Sequence, residues 1–75
     1  MESIHISEAR KILDSHKDVD LCWWTQKGEI RHHMCRSLRY DFATGTRNVR
    51  IMPSGQIRKL TDFMIFRING MEVYL

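Results

Sequence analysis

The sequence predicts a small α+β domain that is mainly β: a short N-terminal helix followed by five or six antiparallel strands closed into a barrel. Three observations carry that expectation. The first 17 residues hold an apolar stripe at helical spacing, and from Val19 onward short β-branched and aromatic runs alternate with glycine-containing turns. At 75 residues and 43% hydrophobic content, the chain has room for one domain over residues 1–75 and one modest core, which leaves little space for an elaborate active site. With 28% charged residues and no Ser/Gly/Pro-rich tract, folding is expected and disorder is not.

The helix is expected over residues 7–17. Ser7 reads as the N-cap, and Ala9, Ile12, Leu13 and His16 form the buried stripe. Arg10 at the third helical position rules out a reciprocal capping box, while Glu8 suits the helix dipole. Asp18 and Asp20 mark the exit.

Strands follow at 19–26, 29–40, 46–52, 56–60, 63–68 and 71–75, separated by turns at Lys27-Gly28, Thr44-Gly45, Pro53-Ser54-Gly55 and Asn69-Gly70. A two-residue turn at Lys27-Gly28 would set Trp24 opposite Arg31, Trp23 opposite His32 and Cys22 opposite His33. On the 29–40 strand, Ile30, Met34, Leu38 and Tyr40, with His32 and Arg36 among them, form the expected core face. Arg31, His33, Cys35, Ser37 and Arg39 form the basic one. Val49 and Ile51 should point inward from the next strand, with Asn48 and Arg50 outside and Arg47 near its start.

Asn69-Gly70 suits a type I′ turn, which pairs Ile68 with Met71, Arg67 with Glu72 and Phe66 with Val73. Ile68, Met71, Phe66, Val73, Met64 and Leu75 would then share one apolar face, and Arg67 and Glu72 an ion pair on the other. The tail IFRINGMEVYL, residues 65–75, following a short helix and several strands, resembles the final strands of Sm-like and Hfq-like RNA-binding barrels. The resemblance implies an SH3-like or Sm-like barrel whose subunits assemble as rings. That family's earlier motif places an Asp and an Asn a few residues apart around the second and third strands. Asp41 and Asn48 are farther apart, so the resemblance lends an architecture and no binding residues.

Function is expected to follow charge. The net charge of +3 conceals −2 over residues 1–29 and +5 over residues 30–75, so an anionic partner would be drawn to the second half. Within residues 31–59, Arg31, Arg36, Arg39, Arg47, Arg50, Arg58 and Lys59 face one acid, Asp41. Arginine's planar fork suits phosphate. The expected function is therefore non-enzymatic nucleic-acid binding, RNA or DNA, of low sequence specificity, through Arg31, Arg39, Arg47, Arg50, Arg58 and Lys59, with Trp24 as a stacking platform. Solubilising charge on strand faces is the plainer explanation of the same residues.

The alternative is a protein–protein interaction or assembly module that uses the basic face and a C-terminal edge strand, with a homo-oligomer as one form of it. Cys22, His33 and Cys35 would converge on one face in the expected register, but without a compact ligand clamp no metal or other cofactor is expected. No GxSxG, HExxH, P-loop or paired-carboxylate set occurs, so no enzyme is expected. Two cysteines without CxxC spacing, no apolar run long enough for a bilayer and no signal-peptide pattern point to a cytoplasmic protein.

Overall fold

In the computed structural model, which describes residues 2–75, the chain runs β1 (Ser3–His5), α1 (Ile6–Asp14), β2 (Asp18–Trp24), β3 (Ile30–Asp41), β4 (Thr46–Met52), β5 (Ile57–Thr61), a 3-10 turn (Asp62–Met64), β6 (Ile65–Ile68) and β7 (Met71–Tyr74). All seven strands join one sheet in the order β1-β7-β6-β2-β3-β4-β5. β1 pairs with β7 in parallel, and every other ladder is antiparallel. The expected closed antiparallel barrel is thus corrected to an open, mixed sheet. β5 and β6 lie on either side of β2-β3-β4 yet are joined by a three-residue 3-10 turn, so the sheet must curl to bring them near each other. No ladder among the described residues closes the gap. No helix among the described residues is long and apolar enough to cross a membrane.

The helix starts one residue earlier than expected. His5, not Ser7, is the N-cap, and its Nδ1 accepts the Ser7 amide at 3.1 Å. His16 lies beyond the helix at φ 59°, where its amide donates to the Leu13 carbonyl and its Nδ1 donates to the Ser37 carbonyl at 2.8 Å. The side chain expected on the buried stripe instead ends the helix and pins it to β3. Ala9 and Leu13 are fully buried against Val19, Leu21, Trp23, Cys35, Val49, Ile51, Leu60, Ile65 and Ile68, which is the core of the domain.

One turn reverses the expected faces of β3. Thr25 and Glu29 close the loop, with the Thr25 amide donating to the Glu29 carbonyl at 2.8 Å and Gly28 at φ 82°. Three residues therefore separate the closing pair where two were expected. Trp24 now pairs with Ile30, Trp23 with Arg31 and Cys22 with His32. A one-residue shift sends every side chain to the other face. Cys35 and Ser37 are buried, whereas Ile30, His32 and Met34 are exposed on the outer face. A bulge between Ser37 and Arg39 restores the phase, so that Tyr40 pairs with Arg47.

The Asn69-Gly70 register is as expected, with φ 49° and 79° at the turn, Ile68 opposite Met71 and Arg67 opposite Glu72. No ion pair joins Arg67 to Glu72 among the described residues. A bulge where β6 meets β2 places Ile65, and not Phe66, opposite Trp23. Ile65 and Ile68 are therefore buried, Met71 and Val73 pack on the core, and half-buried Phe66 lies against Trp24 with ring centroids 5.6 Å apart. Leu75 is exposed. β1 covers the far side of β7, so the free edges are β1 and β5, not the C-terminal strand.

Candidate nucleic-acid interface

Curling without closure leaves the inner face of the sheet accessible along β5. A cleft of about 880 Å³ runs there, bounded by the end of β2, the start of β3, the end of β4 and β5. Trp23, Ile51 and Leu60 reach it from the core, and Trp24, Arg31, Arg58 and Lys59 line its rim. These last four belong to the set expected from the sequence; Arg31 and Arg58 come from the inner face, whereas Trp24, opposite Ile30, and Lys59, opposite Asn48, have the outer-face parity and border the cleft at its edge. Lys27 and His33 join them. His33 packs on Trp23 with centroids 5.8 Å apart. His33 shares the face of Arg31, as the alternation of β3 implies, but its imidazole ring falls outside an arginine-based search, and Lys27 falls outside it because it occupies the β2–β3 turn.

The cleft is cationic but not uniformly so. Arg31 pairs with Glu29 at 3.0 Å, and Arg58 donates to the Gln56 side chain at 2.9 Å. Both pairings are solvent-exposed, so a phosphate can displace them at small cost. Trp24 is 43% exposed while Trp23 is 4% exposed, which separates the two adjacent tryptophans into an accessible ring and a core ring.

Arg47 is the main correction to the expected site. Its side chain is only 1% exposed and its guanidinium fork is fully engaged. Nε and Nη2 donate to the two carboxylate oxygens of Asp62 at 2.8 and 3.1 Å, and Nη1 donates to Asp14 at 2.9 Å and Ser37 at 2.8 Å. Burial alone would push the guanidinium pKa down, but the hydrogen bonds and charges of Asp62 and Asp14 outweigh it and hold the pKa above its ordinary value. Arg10 adds a second cation on Asp62 at 3.1 Å, and Arg10 and Arg47 each lie 5.0 Å from the Tyr40 ring centre. With every donor group turned inward, Arg47 has nothing to offer a phosphate.

The remaining expected residues lie elsewhere on the surface. Arg50 projects from the outer face, beside Ile57. Arg39 borders a separate groove of about 580 Å³ with Arg10, Lys11 and Phe42. Arg39, Arg50, Arg58 and Lys59 are exposed and, among the described residues, take part in no ion pair.

The converging set Cys22, His33 and Cys35 is also undone by the register. Cys35 points into the core, and Cys22 lies on the opposite face across from His32. Burial, then the neighbouring charges of Asp20 and Cys22, push the Cys35 thiol up to about 12. The Cys22 thiol is raised by burial and by Asp20, against a lowering pull from Arg67. Neither has the character of a nucleophile. Comparison of the chain with protein-family models, curated proteins and solved structures gives no match to any of them.

Proposed function

We propose that this chain is a non-enzymatic nucleic-acid-binding domain that seats a single strand in the cleft along β5. The observation that carries the reading is the gathering of Trp24, Arg31, Arg58 and Lys59, together with Lys27, on the rim of one cleft. Cations there would neutralise successive phosphates, and the exposed Trp24 ring would stack a base. Nothing in this arrangement reads base edges, so the expected specificity is low. The curled β6-β2-β3-β4-β5 segment, with its 3-10 turn between β5 and β6, supports reading the fold as an SH3-like or Sm-like barrel left open at that seam.

A second reading rests on the outer face. Ile30 and Met34 of β3 and Ile57 of β5 point outward at 48–55% exposure, an apolar strip suited to another subunit or a protein partner.

Fluorescence-anisotropy titration with a short single strand and its duplex at two salt concentrations tests the first reading. The single strand should bind more tightly, and Arg58→Ala/Lys59→Ala should weaken both ligands and reduce the salt slope by about 0.7 to 0.9 per lost contact. Trp24→Ala should cost about 1–3 kcal/mol on the single strand with little salt dependence. If the wild type binds neither ligand at low salt, the outer-face reading takes its place.

A further inference from the structure

The outer face of β2 and β3 carries a group of donors that the cleft does not use. Asp20 and Cys22 are two residues apart on β2 and so share a face, and His32 stands directly across from Cys22 on β3. One ligating atom from each of Asp20, Cys22 and His32 lies within 4.8 Å of the other two. We propose that these three side chains form a zinc site, with water in the fourth position.

The donor chemistry selects the metal. A thiolate and an imidazole suit zinc and disfavour magnesium and calcium, and three protein ligands with one open position is a familiar zinc arrangement. Tetrahedral zinc, with bonds of about 2.0–2.3 Å, needs its donors about 3.3–3.7 Å apart. His32 Nε2 is hydrogen-bonded to Asp20 Oδ1, closer than that, while the group as a whole spans up to 4.8 Å. A metal ion would therefore open the separation between His32 and Asp20, within a group whose donors already lie within 4.8 Å of one another. The side chains of Asp20 and His32 are 44% and 61% exposed, so rotations about their own bonds suffice and the ladder between β2 and β3 stays intact.

Arg67 is the group that opposes a cation here, since it pairs with Cys22 from the β6 side. The opposition is limited by charge balance: zinc with one thiolate and one carboxylate is neutral overall. Arg67 also offers support. Among the described residues its buried Nε has no hydrogen-bond partner, and a Cys22 thiolate would be an acceptor for such a donor.

The test uses the intact, reduced chain purified without an affinity tag, titrated with zinc against a chromophoric chelator and, separately, with cobalt(II). The expected result is one zinc per chain and a thiolate-to-cobalt charge-transfer band. Cys22→Ser and His32→Ala should each weaken zinc binding by about tenfold or more, while Cys35→Ser leaves it within about twofold because Cys35 faces the core. No zinc uptake by the wild type, a cobalt complex without the thiolate band, or equal losses from Cys35→Ser and Cys22→Ser would each overturn the site. The cobalt spectrum is read on the wild type, so the decision survives even if a variant fails to fold.

Discussion

Arg47 and Arg58 point from the same face of the sheet, since Arg47 pairs with Leu60 and Arg58 with Val49 in one ladder, yet they live in different media. Arg47 is buried under α1 and the 3-10 turn, which bring Asp14 and Asp62 over it. Arg58 lies on the rim of the cleft, with an exposed glutamine side chain as its partner. The difference teaches that residue type and strand parity decide only which way a side chain points. What lies over that part of the face decides whether it binds a partner or holds the fold. An arginine under a carboxylate-bearing lid is structural, and one beside an open seam is available.

The sharpest way to break this contrast is Asp62→Ala. Removing the bidentate partner leaves the Arg47 charge buried with Asp14 alone, and about 3–5 kcal/mol should be lost, most of what a domain of this size has. Urea denaturation measures it, and a loss below about 1 kcal/mol would mean that Arg47 is solvated after all. Next in size is the packing beneath β6. Ile65→Ala should cost about 2–4 kcal/mol and Phe66→Ala distinctly less, because Ile65 is 3% exposed and Phe66 only half-buried. The reverse order would remove the bulge that sets Phe66 against Trp24.

A smaller effect comes from Cys35 on the same inner face. Its native pKa of about 12 lies above that of an unfolded cysteine, near 8.5, so the native state keeps a proton that the unfolded chain gives up. Its stabilising contribution is complete below about pH 8 and lost as pH rises toward the native value, with a fall of about 1–2 kcal/mol between pH 8 and pH 10. Denaturation curves at both pH values, on wild type and Cys35→Ala, should show a shallower decline in the variant. The smallest effect belongs to Arg58→Ala, which should change stability by less than about 0.5 kcal/mol. A loss as large as that of Asp62→Ala would erase the distinction between the two arginines.

Legible from the sequence were residues 46–52, where alternation sets the faces, and the turn at 69–70, where glycine at positive φ fixes the register locally, whereas the β6 bulge that buries Ile65 in place of Phe66 follows from no local pattern. The Asn69-Gly70 pairing and the β4 limits follow directly. The β3 faces were not legible, because Lys27-Gly28 supports a two-residue or a three-residue turn equally well and one residue inverts everything downstream. β1 left no signal, since three residues paired in parallel with a distant strand make no local pattern. For the site, arginine composition took in Arg31 and Arg58 on the rim of the cleft together with Arg39 and Arg50, which lie elsewhere, and could not mark Arg47 as buried. Its partners Asp14 and Asp62 are distant in sequence and meet it only through the helix and the 3-10 turn.

The β1–β7 ladder has a kinetic consequence. Ser3 pairs with Glu72, which makes this contact among the most non-local in the chain, whereas β2 through β5 are joined by successive hairpins. Loop-closure entropy penalises the distant pairing until the strands between are in place. The hairpin series should therefore order early and β1 should dock last, as a latch that also sets the start of α1. Amides of β1 and β7 would then exchange with solvent through partial opening, while those at the centre of β3 exchange only when the whole domain unfolds.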